Sequence, residues 1–377
     1  MARSKKVIIM TVGLGGGHKA MARSLVDVFH DIDLGIDVNV IDVIEEAWPS
    51  FSENTTRAYA NSTSSAGAFW FKVYYKLSDR FPQPIRWFAS GAFRAYARKK
   101  FASERPDLIV ATYPFLADVA AQARDYYHAS TPIITTVTDA SNVQGIWLSK
   151  KADMTLTATP DTVDYLVKRG MDPAKVTYIG FPASKSFYEP CLPHIIRKRL
   201  GLDPTVFTIL VTAGGLGLNP SKVLSVAREI AKLRVPYQII LNAGKNEMLK
   251  HDFGTIKFPY ATHVIVEGFT DKMSDFLRAA DVVCSKSGWL TVNEALVLQR
   301  PLVLYDAIPG HEEQNAAYVV NNHFGVYAPE PPDAAKHIEK LIREPSIFDD
   351  YSKAMKAAYT NKNPYADLAA FFASYLR

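Results

Sequence analysis

The stretch KVIIMTVGLGGGHKA, Lys6–Ala20, decides how the chain is to be read. A short apolar run, Lys6–Val12, enters a glycine-rich turn, Gly13-Leu14-Gly15-Gly16-Gly17, and Lys19–His30 continues with helical spacing. Strand, tight turn and helix in that order open a parallel α/β sheet. The same succession starts again at Phe207–Thr212 (FTILVT), which runs into Gly214-Gly215. Asp37–Val43, Leu108–Thr112, Ile133–Thr138, Met154–Ala158 and Val176–Gly180 follow the first start as strand-like runs. Tyr237–Asn242, His263–Val266, Asp281–Ser285 and Pro301–Tyr305 follow the second. Two such series predict an α/β protein of two Rossmann-like domains, each a parallel sheet with helices on both faces. Breakers at Phe181-Pro182 and at Glu189-Pro190-Cys191-Leu192-Pro193 place the boundary in this region. The expected division is 1–183, 184–360 and a C-terminal helix within 361–377 that packs back towards the first domain.

Composition agrees with that division. The 377 residues suffice for two domains of about 100–200 residues each. A hydrophobic share of 48% and a charged share of 21% exclude global disorder. Two cysteines, Cys191 and Cys284, exclude a disulfide scaffold and a cysteine-based zinc cluster. Both are expected to be buried thiols of a reducing compartment. The N-terminal apolar run ends at glycines without a cleavage-site pattern, so it reads as a strand and not a signal peptide. No apolar stretch reaches the ~18 residues of a spanning helix. The expectation is a cytoplasmic chain.

The net charge of +5 is unevenly distributed. Residues 1–200 hold 25 Lys and Arg against 19 Asp and Glu, whereas residues 201–377 hold 18 against 19. Within the first half, Arg57–Arg105 carries 10 basic residues, only Asp79 and Glu104 as acids, and 12 aromatics. Trp70, Phe71, Tyr74 and Trp87 alternate there with Lys76, Arg80, Arg86, Arg94 and Arg98. Such a surface suits an anionic bilayer interface, and the expected location is peripheral, on the inner face of the cell membrane. Tyr74, Trp87 and Phe93 are expected to pack inward in part, leaving the basic face exposed. No nucleic-acid-binding signature accompanies the charge, so nucleic acid is not an expected partner.

The glycine turns limit the ligand chemistry. His18 stands where a G-x-G-x-x-G fingerprint or a P-loop starting at Gly13 would need glycine. The first turn is therefore either a glycine-rich strand–helix connection with a surface histidine or a ligand-facing one. The second domain is more specific. DVVCSKSGWLTVNEA, Asp281–Ala295, ends a strand in Ser285-Lys286-Ser287-Gly288 and begins a helix at once. A helix N-terminus with small residues and a lysine suits a pyrophosphate. Glu294, two turns into that helix, can accept ribose hydroxyls. No D-x-D signature stands between the domains, and His311, Glu312 and Glu313 point apart on a helix start, so no metal site is expected.

These segments carry a resemblance. Val266–Gly325, with GFTDKM, DVVCSKSGWLTVNEAL and IPGHEEQNAAYVV in order, resembles the nucleotide-sugar-binding half of glycosyltransferase family 28. It is most similar to the diacylglycerol glycosyltransferases, the monogalactosyldiacylglycerol synthases and processive glucosyldiacylglycerol synthases. GGGHKA, Val137-Thr138-Asp139 with Trp147, and Gly180-Phe181-Pro182 resemble that group's N-terminal segments. The resemblance implies a GT-B fold with an interdomain cleft and inverting, metal-free transfer from a UDP-sugar to diacylglycerol. It places Gly15, Gly16 and Gly17 beside the sugar and diphosphate, and His18 as general base. Gly214 and Gly215 match the first diphosphate turn, Phe269 the uracil position, and Lys286, Ser287 and Gly288 the phosphate-binding helix start. Glu294 matches the ribose acid, and Glu313, Gln314 and Asn315 the hexose-reading segment. The sequence departs from the pattern at His311, where many members have Gln, and at Trp289, where many have Pro or Ala.

Inverting transfer needs a base for the acceptor hydroxyl, and a group titrating near neutrality is best matched. His18 is preferred over Asp139, which could orient it or act instead. Galactose is favoured over glucose as the donor sugar. A polyprenyl-linked acceptor, or a nucleotide-sugar-binding protein without catalysis, are the alternatives. Oligomeric state is not readable.

Overall fold

The computed structural model describes residues 4–13, 16–32, 35–49, 73, 75–141, 143–359 and 362–376. The chain divides into two compact units. One comprises Met1–Lys185, Pro309–His311 and Asn363–Arg377, the other Ser186–Ile308 and Glu312–Lys362. Among the described residues each unit contains one six-stranded, all-parallel sheet.

In the first unit the strands are β1 (Lys6–Thr11), β2 (Asp37–Asp42), β3 (Leu108–Ala111), β4 (Ile133–Thr136), β5 (Met154–Thr157) and β6 (Val176–Tyr178). Their order is β2-β1-β3-β4-β5-β6. β1 and β3 are apolar runs buried on both faces, as a central parallel strand must be, while β2 alternates and forms an edge. Helix Gly17–Asp31 buries Met21, Leu25, Val28 and Phe29. Helix Pro364–Leu376 joins this same unit. Phe372 packs on Phe29 with ring centroids 4.8 Å apart, and the Tyr365 hydroxyl donates to Asp31 Oδ2 at 3.0 Å. Lys185 Nζ lies 2.6 Å from the same oxygen, and these partners, Lys185 foremost, hold the Asp31 carboxyl below the usual range.

In the second unit the strands are β7 (Thr208–Thr212), β8 (Tyr237–Asn242), β9 (Ala261–Glu267), β10 (Val282–Lys286), β11 (Leu302–Asp306) and β12 (Gly325–Tyr327), ordered β12-β11-β10-β7-β8-β9. β12 has no counterpart among the expected strands. It is three residues long and sits at the sheet edge, too short for a periodic signal. Cys284 is fully buried in β10, but Cys191 is only half-buried, with Arg199 Nη2 3.9 Å from its sulfur. The expectation of two buried thiols therefore holds for one. Among the described residues no helix is long and apolar enough to cross a membrane.

Helix Pro82–Ala92 reverses the usual polarity of a surface helix. Its buried residues are Arg86 and Ser90, one turn apart, and both face the protein body. Arg86 Nε lies 3.7 Å from Asp118 Oδ2, and the Ser90 hydroxyl accepts from Gln122 Nε2 at 2.7 Å. Burial raises the Asp118 carboxyl above its usual range despite the opposing pull of Arg86. Trp87 and Phe88 face solvent at 72% and 74% exposure. The sequence expectation for Trp87 and Arg86 is thus inverted: the tryptophan is outside and the arginine inside. Composition reports which residue types a helix holds, but polar partners on Leu116–Tyr126 decide which face turns inward. Phe93 is buried as expected.

Candidate active site

In open α/β sheets a ligand sits outside the carboxyl ends of the strands where the strand order reverses. In the first unit that point lies at β1 and β3. Helix Gly17–Asp31 starts just after β1 and carries His18 in its first turn. The His18 ring is held on several sides. Nδ1 lies 2.7 Å from the carbonyl oxygen of Thr112, which follows β3, and 3.2 Å from the Thr138 hydroxyl, which follows β4. Tyr113 meets the ring edge-on at 4.7 Å, and Trp147 lies 6.3 Å away. A carbonyl can only accept, so the neutral ring carries its proton on Nδ1 and keeps its lone pair on Nε2. The structure therefore brings together three residues of the segments singled out from sequence, His18, Thr138 and Trp147, and Asp139 is the half-buried residue that follows Thr138 in the chain. Thr112 and Tyr113 were missed, although their place directly after β3, beside the reversal point, marks them. Gly16 and Gly17 face open space where a side chain would stand. Gly15 lies outside the described residues.

In the second unit the order reverses at β7 and β10. The β7 end gives Gly214 and Gly215, and the β10 end gives Lys286, Ser287 and Gly288. Gly214 has φ +75°, and the neighbouring β8 turn approaches so closely that a side chain on Gly244 would collide with the Gly214 carbonyl. Gly288 caps helix Trp289–Val297, whose first N–H groups and dipole suit an anion. Lys286 Nζ pairs with the Glu312 carboxylate. Ser287 is fully buried, and its hydroxyl donates to the Asp306 carbonyl at 3.0 Å. Asn315 is also fully buried, its Nδ2 donating to the Ser287 carbonyl at 3.1 Å. These two, matched by the resemblance to donor-binding positions, also brace the turn from within. Gln314 is half-buried and Glu313 exposed. Phe269 follows β9 and is 57% exposed, with Lys245 Nζ 5.1 Å from its ring centroid. Lys245 was not foreseen, though it stands at the end of β8 next to the glycine turn.

Glu294 stands half-buried on helix Trp289–Val297. Burial alone pushes its carboxyl up to about 8. The sequence reading treated it as a carboxylate; the raised value favours the protonated acid, which can donate as well as accept. The folded value lies above the unfolded one, so the folded chain binds the extra proton. This contribution to stability is complete below about pH 4.5 and falls as pH rises towards about 8. Glu294→Gln should remove that fall: the melting temperature of the variant should gain on the parent between pH 5 and pH 8. Parallel melting curves across that range would show the carboxyl is not raised.

Of the residues assigned to a membrane or acceptor contact, Trp70, Phe71 and Tyr74 lie outside the described residues. Lys76, Arg80, Trp87 and Arg94 are exposed. Arg94 Nε donates to Gln122 at 3.0 Å, and half-buried Arg98 stacks 3.8 Å above the Tyr126 ring. Among the described residues no group of three His, Cys, Asp or Glu could hold a metal ion.

Residues 18–183 match the family model for monogalactosyldiacylglycerol (MGDG) synthase, and residues 208–370 match the glycosyltransferase family 28 C-terminal domain. The chain belongs to glycosyltransferase family 28. Within that family, it is 26% identical over 367 residues to a processive diacylglycerol beta-glucosyltransferase of Bacillus cereus (strain B4264), covering 95% of this chain and 91% of that one. The enzyme of the same name from Bacillus thuringiensis (strain Al Hakam) matches to the same extent. Among solved structures, Acinetobacter baumannii MurG gives a TM-score of 0.64 at 16% identity, covering 98% of this chain and 99% of that one. The calicheamicin glycosyltransferase CalG4 gives 0.63 at 14%, covering 99% and 98%. Both likenesses concern the fold, which is α/β of the GT-B type.

Proposed function

We propose that this family 28 chain transfers a hexose from a UDP-hexose to the hydroxyl of a diacylglycerol, with inversion at the anomeric carbon. The observation that carries the chemistry is the fixed His18 ring: with Nδ1 held by Thr112, Nε2 is the basic atom. The acceptor oxygen forms its bond to C1 as the bond from C1 to the diphosphate oxygen breaks. The hydroxyl proton passes to Nε2, and UDP leaves with the electron pair. The growing charge on UDP is met by Lys286 and the amino end of helix Trp289–Val297, so the reaction as proposed uses no metal ion and no cofactor. Phe269 offers a flat face for the uracil and Glu294 a hydrogen-bonding group for the ribose.

The acceptor class is supported by the names of the full-length relatives. Their names also make glucose the first donor to test, whereas the galactose preference agrees with the description of the family model. The inverted helix Pro82–Ala92 supports a membrane contact. Trp87 and Phe88, joined by exposed Leu77 and Phe81 beside Lys76 and Arg80, present apolar rings with cations, as an anionic bilayer surface requires. The proposed place of work is the inner membrane face, reached by this peripheral contact.

The test is lipid analysis after incubation with UDP-glucose or UDP-galactose and vesicles containing diacylglycerol and an anionic phospholipid. A glycosylated diacylglycerol supports the reading; UDP binding without transfer to lipid sinks it. Trp87→Ser with Phe88→Ser should reduce vesicle binding about a hundredfold or more, from the loss of about 1.5–3 kcal/mol per buried aromatic, while leaving the melting temperature unchanged. Unaltered sedimentation with vesicles would remove this face from the membrane contact.

A further inference from the structure

We propose that Glu312 is a positioning residue for transfer: it fixes the Lys286 ammonium at the amino end of helix Trp289–Val297, ready for the charge that develops on the leaving diphosphate. This rests on the reading above that the diphosphate lies at Lys286.

Several independent features converge on this pair. The register of β10 against β11 shifts between Ser285 and Lys286, an irregularity of the kind that re-aims a side chain at a strand end. Lys286 then lies along two glycine turns. A side chain on Gly214 would stand 3.3 Å from its Cε, and one on Gly288 would stand 3.0 Å from its Nζ. Both turns lack a Cβ where the lysine passes. At its far end the ammonium meets Glu312. Glu312 is 2% exposed, which is unusual for a carboxylate without a partner on each oxygen. It has both: Oε1 takes Lys286, and Oε2 accepts the Ile308 backbone N–H at 3.0 Å. The second bond ties the carboxylate to the backbone just before its own helix, His311–Asn321, so the carboxylate cannot follow the lysine. From the same helix, Asn315 braces the Ser287 carbonyl. Two residues three apart, on one helix face, thus hold consecutive residues of the phosphate turn.

An acid behind a phosphate-binding lysine repels a bound diphosphate in the ground state. Its use lies in placing the cation before charge appears, because a charge already in position needs no reorganisation at the moment of bond breaking. This gives a signature that a structural role would not. Glu312→Gln keeps an acceptor for the Ile308 N–H and should fold, but it releases the ammonium. We expect kcat to fall about tenfold or more while the UDP dissociation constant stays within about threefold of the parent or tightens. Glu312→Asp keeps the charge but is one methylene short, and should lose kcat likewise. In a Lys286→Met background, Glu312→Gln should lower kcat no further, since its action passes through the lysine. Loss of UDP affinity together with kcat, or full additivity with Lys286→Met, overturns the proposal. If Lys286→Met itself leaves both UDP affinity and kcat unchanged, the donor-site reading has failed and not the pairing alone.

Discussion

His18→Ala should lower kcat by about 10²–10⁴-fold, the contribution of a positioned general base, while the dissociation constant for UDP stays close to that of the parent. The separation is expected because the groups proposed to hold the donor, Gly214, Lys286, Gly288 and Glu294, belong to the second unit with its own sheet. His18→Gln sharpens the test. Glutamine can still donate to the Thr112 carbonyl, so the local fold is kept, but it has no basic nitrogen. It should be as inactive as alanine. Turnover retained in both variants, measured as UDP released per enzyme in the presence of lipid, would leave Asp139 as the base. A shift of the pH–rate profile in Thr138→Val would report on the ring directly, since Thr138 touches Nδ1.

Deleting residues from Asn363 onward should prevent the first unit from folding, even though 362 residues remain. Helix Pro364–Leu376 buries Tyr365, Leu368, Phe372 and Leu376 in that unit. Leu368, Phe372 and Leu376 recur every four residues and form one stripe. Truncating a buried Leu costs about 2–5 kcal/mol and a buried Phe about 3–5, so removing the whole stripe costs about 7–15 kcal/mol, as much as the ~5–15 kcal/mol that holds a domain together. Phe29 would be uncovered at the same time. The milder Phe372→Ala should fold and melt lower by several degrees, with the transition of the second unit unaltered. Calorimetry of the two transitions checks both statements; a first unit that melts normally without the helix would refute the stripe's contribution.

Much of this architecture was legible beforehand, for a physical reason. Parallel strands buried on both faces must be continuous apolar runs, and KVIIMT, LIVA, TILVT and YQIILN are. What sequence could not supply was phase. Glu312 and Glu313 are chemically alike neighbours, about 100° apart around a helix; one is buried on Lys286 and the other exposed. The resemblance pointed to Glu313 and passed over its neighbour. Trp87 and Arg86 fail in the same way, because only the polar partners on the adjoining helix reveal which face is inner. Ser287 shows a further limit: a small hydroxyl residue at a glycine turn reads as a ligand contact, and the sequence does not reveal that its hydroxyl also stitches β10 to the end of β11.

The first unit is assembled from distant parts of the chain, and this has a consequence in biosynthetic time. A ribosome releases the six strands of the first sheet before it has made β7, so the usual order would let the first unit fold first. Its covering helix, however, is translated only after the whole second unit. The sheet that carries His18 must wait with Phe29 uncovered while the second unit, complete by residue 362, closes ahead of it. The part made first is finished last.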